Sequence, residues 1–87
     1  MAALITTTVP LDISVYDQMS AEIAPHLKAA TGFVAHVCHP VDGGFVVTEV
    51  WEKARDHADF FEANVKPNLP PEGVTVGVIE LRNTILA

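Results

Sequence analysis

An imidazole, a thiol, a carboxylate and an indole recur at two-residue intervals along two neighbouring apolar runs: His36 and Cys38 in the first, Glu49 and Trp51 in the second. A carboxylate beside an imidazole is the pairing that orients a general base, and an indole beside them offers a flat wall for a ring. These groups work together only if the two runs fold against each other with matching faces. The intervening Pro40-Val41-Asp42-Gly43-Gly44 predicts that they do, because Asp-Gly between two apolar runs is a strong hairpin signal.

A two-residue loop at Asp42-Gly43 sets His36 opposite Glu49 and Val34 opposite Trp51. A loop at Gly43-Gly44 instead sets Cys38 opposite Glu49 and His36 opposite Trp51. Strand side chains alternate with a period of two, so both registers keep Val34, His36, Cys38, Val47, Glu49 and Trp51 on one face. Two accounts of that face stay open. In one, His36 and Glu49 simply satisfy each other under a helix, as buried polar groups must. In the other, they are the base and its orienting acid in a pocket where Trp51 stacks a ring.

Other groups could join such a pocket. Tyr16 falls on a helical stripe with its hydroxyl at the rim, His57 on the early turns of a second helix, and Arg82 is the only cation of the last strand. His39 precedes Pro40 and reads as surface. The spacing of His36, His39 and His57 fits no recognised metal-ligand pattern, so no metal is expected. Cys38 has no nearby cation or helix N-terminus to activate it and is not expected to be a nucleophile.

The elements that must position these residues follow from periodicity. Residues 3–9 are apolar and β-branched, stopped by Pro10: a strand. Asp12 offers an N-cap, after which Ile13, Tyr16, Met19, Ile23 and Leu27 recur at helical spacing. Pro25 is expected to kink that helix or end its regular part early, and Thr31-Gly32 closes it. The hairpin follows, then a helix over residues 54–65 with Ala54, Ala58, Phe61 and Val65 on one stripe. Pro67, Pro70 and Pro71 break it, and residues 74–81 form a last strand that could run on to Ile85. Strand-helix-strand-strand-helix-strand is the ferredoxin-like order of an α+β domain, an antiparallel sheet with both helices on one face.

Composition bounds the rest. The chain has 87 residues, one domain's worth, and 49% of them are hydrophobic, with a mean hydropathy of +0.31. That apolar excess is hard to hide in so small a unit, so a partner subunit or a ligand cavity is expected to absorb it. The sheet face carrying Val46, Thr48 and Val50 is the one left to be covered. A formal charge of −6 with only five Lys and Arg argues against nucleic acid or an anionic membrane as partner. One cysteine allows no internal disulfide, and the first residues have neither a charged region nor a long apolar run, so a cytoplasmic protein without a signal peptide or membrane span is expected.

The stretches Gly32-Phe33-Val34-Ala35-His36-Val37, Asp42-Gly43-Gly44-Phe45, Glu49-Val50-Trp51-Glu52 and Phe60-Phe61-Glu62 together resemble the small antibiotic-biosynthesis-monooxygenase-like proteins, through essentially the whole chain. The resemblance implies a dimeric α+β barrel, two sheets packed face to face, and in each subunit a cavity between sheet and helices lined by Trp51. In the cofactor-free quinone-forming monooxygenases of that family, an Asn on the Trp strand and an Arg accompany the Trp. Here Val47 stands at the first place and Arg82 is a loose equivalent of the second. The haem-degrading branch carries an axial His where this chain has Phe61. A cyclase branch uses cavity histidines, a part open to His36 or His57.

On that footing the expected activity is a cofactor-independent monooxygenase acting on a hydrophobic aromatic or polyketide-like small molecule. His36, Glu49 and Trp51 would be catalytic, and Tyr16, Val34, Val47, His57, Phe61 and Arg82 would line the substrate. A cyclase or isomerase using a His general base is one alternative. A non-catalytic binding or regulatory homodimer with a filled cavity is the other.

Overall fold

A computed structural model describes residues 1–87. Its elements are strand β1 (Ala3–Val9), helix α1 (Ile13–Lys28), strands β2 (Phe33–Val41) and β3 (Gly44–Trp51), helix α2 (Ala54–Phe60) and strand β4 (Thr75–Glu80). A π-helical stretch, Phe61–Val65, and a 3-10 turn, Lys66–Asn68, prolong α2. The four strands make one antiparallel sheet in the order β2-β3-β1-β4, the ferredoxin-like order expected from sequence.

Alternation along β1 decides which face is covered. Ala3, Ile5, Thr7 and Val9 are buried beneath the helices, while Leu4, Thr6 and Thr8 point the other way. Phe45, Glu49 and Trp51 of β3 join the covered face, and Leu27 and Phe60 close over it from α1 and α2. Trp51, Phe45 and Ile5 are the largest fully buried side chains. Burial of a side chain the size of Ile5 or Phe45 stabilises by about 1.5–3 kcal/mol.

The hairpin has the shorter of the two predicted loops. Val41 pairs with Gly44, leaving Asp42-Gly43 as the two-residue turn, with Gly43 at φ 80°, a left-handed conformation that glycine adopts without strain. His36 therefore sits opposite Glu49. The expected pairing of Val34 with Trp51 is corrected: a bulge between Phe33 and Ala35 makes Val34 the extra residue and puts Phe33 opposite Trp51.

Three further expectations are revised. Helix α1 runs through Pro25 to Lys28 without ending early. Pro25 deprives only the Ala21 carbonyl of its helical donor, and both residues are exposed, so the freed carbonyl is not trapped in the core. On the second helix the inward positions belong to His57 and Phe60, with Phe61 and Val65 half-buried, while Ala54 and Ala58 are exposed. The large rings gain most from burial and take the inner side. Strand β4 stops at Glu80, so Arg82 lies beyond it, exposed.

Candidate active site

Register and helix phase bring four polar side chains to the covered face. His36 Nδ1 lies 2.5 Å from Glu49 Oε2, across the β2–β3 pair. Trp51, two residues along β3 and hence on the same face, donates its indole N–H to Glu49 Oε1 at 2.9 Å. Tyr16, on the first turn of α1, places its hydroxyl 2.6 Å from His36 Nε2. Helix α1 is started there by Asp12, whose carboxylate accepts from the Ser14 backbone N–H at 3.0 Å and from the Ser14 hydroxyl at 2.6 Å. Those bonds hold the Asp12 carboxyl below its ordinary value.

The direction of the chain follows from what each group can do. A carboxylate only accepts, so His36 Nδ1 carries a proton toward Glu49. In the neutral ring Nε2 is then the acceptor, and Tyr16 donates its O–H to it. The phenol and imidazole planes lie within 15° of each other, with centroids 5.9 Å apart. Burial, reinforced by nearby Cys38 and Glu49, raises the Tyr16 hydroxyl above its ordinary 10.0. Tyr16 therefore stays a proton donor at neutral pH, and His36 Nε2 is the basic site that faces it.

This chain borders a narrow cavity of about 60 Å³ between sheet and helices. Its walls are apolar: Val9, Phe45 and Val47 from the sheet, Met19 and Ile23 from α1, Phe60 and Phe61 from the second helix. His57 completes the polar edge. It is buried, its Nε2 lies 3.8 Å from Glu49 Oε1, and its ring packs against Trp51 and Phe61. Burial lowers its pKa from 6.5, the Glu49 charge opposing that shift only in part.

Of the candidates named from sequence, His36, Glu49, Tyr16, Val47, His57 and Phe61 meet at this cavity. Three do not. Val34, displaced by the bulge, is not among its walls. Trp51 has no exposed surface and packs with Phe33, His57 and Phe60, so it holds Glu49 from behind rather than facing the cavity. Arg82 is separated from the cavity by its place beyond β4. Sequence reading missed Thr7 and Val9 as walls, although the alternation of β1 carries that signal, and it missed the Tyr16–His36 bond, for which no local signal exists. Cys38 is half-buried, and burial pushes its thiol up from 9.0. No three His, Cys, Asp or Glu side chains converge as metal ligands would.

No protein-family model and no curated protein sequence matches the chain. Solved structures do. SnoaB, a cofactor-independent oxygenase from Streptomyces nogalater, matches with a TM-score of 0.62 at 18% identity, covering 97% of this chain and 94% of its own. A monooxygenase from the gene ActVA-Orf6 of Streptomyces coelicolor, solved with the ligand nanaomycin D, matches with a TM-score of 0.68 at 18% identity, covering 99% and 92%. A haem-degrading protein from Mycobacterium tuberculosis matches with a TM-score of 0.62 at 12% identity, covering 98% and 99%. The chain thus has the antibiotic-biosynthesis-monooxygenase-like fold. At these identities the likeness speaks for the fold alone.

Proposed function

We propose that this protein is a cofactor-independent enzyme that removes a proton from a hydrophobic aromatic or polyketide-like molecule, and that it acts as a monooxygenase. One observation carries the reading: the hydrogen-bonded series Glu49–His36–Tyr16 ends at an apolar cavity. His36 Nε2 takes the proton of a phenol or of an activated ring CH2, and Glu49 holds the resulting imidazolium. Tyr16 then donates to the substrate oxygen where negative charge gathers. The substrate anion gives its electrons to O2, so that a CH2 and one O2 become a C=O and one H2O. The two fold relatives described as oxygenases support this choice.

A cyclase is the second reading, favoured by a specific observation. Val47 and not an amide lines the cavity, and no cation borders it. The same base would take a proton beside a carbonyl, and the carbanion would add to a second carbonyl of the same molecule, whose C=O π bond opens to an alkoxide that takes the proton back from His36, without consuming oxygen. We also assign a homodimer through the uncovered sheet face, and the cytoplasm as its compartment, a reading supported by the lone cysteine. No helix is long and apolar enough to cross a membrane.

The test is oxygen uptake during incubation with hydroxylated anthrones, wild type beside His36→Ala. Oxygen consumed in step with product, and a loss of about 10²–10⁴ in turnover on His36→Ala, is the expected result. No oxygen uptake with the anthrones, together with ring closure of a linear poly-β-keto thioester that consumes no oxygen, selects the cyclase. Equal turnover in folded His36→Ala would remove the histidine from the mechanism.

A further inference from the structure

Phe61 lines three separate spaces, and we propose that it is the specificity-determining residue that sets how large a molecule the site accepts. The inner cavity beside His36 holds only about 60 Å³, far below the few hundred cubic ångströms of an ordinary small-molecule site. Outside it, two grooves run along the helix-facing side of β4. One, of about 430 Å³, lies between Ala54 and Ala58 of α2 and Val76 and Val78 of β4. The other, of about 400 Å³, continues from Val76 to Val74, Leu69 and Pro70. His57 borders the inner cavity and the first groove, and Leu69 the inner cavity and the second. Phe61 alone borders all three.

Its setting suits a movable partition. Phe61 is half-buried and opens the π-helical stretch, a wide turn of the kind that recurs at functional sites. Its ring rests on His57 with centroids 5.7 Å apart, on the polar edge of the cavity itself. Beyond it β4 has no cover: Val76 is 42% and Val78 55% exposed. The occupant we assign to this space is the body of an elongated, multi-ring molecule, whose apolar rings lie between the charged rims of Arg55, Glu62 and Lys66. Its acidic ring enters beside His36, and the remaining rings displace Phe61 and lie over Val76 and Val78. This inference rests on the proton-abstraction reading given above and adds the substrate's size and shape to it.

Calorimetric titration with phenol, 2-naphthol and 2-hydroxyanthracene tests it on the wild type, Phe61→Ala and Phe61→Leu, each checked for its fold by circular dichroism. The Leu variant keeps most of the volume and serves if the Ala variant does not fold. Removing the partition should tighten the three-ring compound by about tenfold or more and leave phenol within about twofold, with the Leu variant between. An unchanged affinity series, or an equal change for all three compounds, overturns the role of Phe61 while leaving the site itself standing. If none of the three binds any variant, the proton-abstraction reading falls together with it.

Discussion

Glu49 shows what a single buried carboxylate demands of its neighbours. Its Oε2 receives His36 Nδ1–H and its Oε1 receives the Trp51 indole N–H, so its charge is held by two donors in a nearly dry setting. Trp51→Phe keeps a ring in the core but leaves Oε1 short of a donor, which should lower stability by about 1–3 kcal/mol in chemical denaturation. Because Trp51 does not face the cavity, substrate affinity should change little, and a large rise in KM at wild-type stability would contradict its place behind Glu49. His57 adds a pH dependence. Its folded pKa lies below 6.5, so the neutral ring's contribution is complete above 6.5 and is lost as pH falls from there through the depressed value. Melting temperatures should fall as pH drops below 6.5, and His57→Phe, which keeps a ring against Trp51, should flatten that fall. Parallel curves for variant and wild type would place the titration elsewhere. That His36 and Glu49 share a face was legible from strand parity, and their direct pairing is one of the two registers the Asp42-Gly43-Gly44 turn allows. The Tyr16 bond was not legible, since it joins elements whose separation in space no local pattern encodes.

At the scale of elements, Gly32 links the end of α1 to β2 and touches α2. It sits at φ 83°, its carbonyl accepts from the Glu52 N–H at 2.7 Å, and a Cβ built on it would stand 2.3 Å from Asp56 Oδ2. Gly32→Ala meets both a left-handed backbone and a carboxylate, and should destabilise by more than about 1 kcal/mol. Adding Asp56→Ala should restore only the part due to the clash, because the backbone strain persists. Complete recovery in the double variant would show that the conformation costs nothing. The same region explains where sequence reading lost its hold. Strand and helix positions came from periodicity and from Pro10, Asp12 and Gly43, each a local cause. The bulge at Val34 has no such cause in its own residues: it arises where Phe33, just after the Gly32 turn, packs its ring against Trp51. Likewise Ala54 and Ala58 fit a helical stripe as well as His57 and Phe60 do, and the choice between the stripes belongs to the sheet beneath.

For the whole molecule the unresolved weight lies on the far side of the sheet. Leu4, Val46, Val50, Val37 and Ile79 share that face, with Val37 61% and Ile79 60% exposed, and neither helix covers it. A stable protein–protein interface buries about 1,200–2,000 Å² in total, and a second copy offers the same apolar face by symmetry. We expect sedimentation at micromolar concentration to give twice the 9.4 kDa chain mass. Val50→Lys, on a central strand, should shift the equilibrium strongly toward monomer, since a buried ammonium without a partner is costly. Ile79→Lys, on the edge strand β4, should weaken association less, because its longer side chain can reach water. Each copy carries −6, so added salt should tighten the dimer by screening the repulsion between the two. His36→Ala, on the opposite face, should leave the mass unchanged. A wild-type species that stays at 9.4 kDa across concentration and salt would mean that this face remains open in solution. The apolar excess of the chain would then have to be tolerated by the monomer itself.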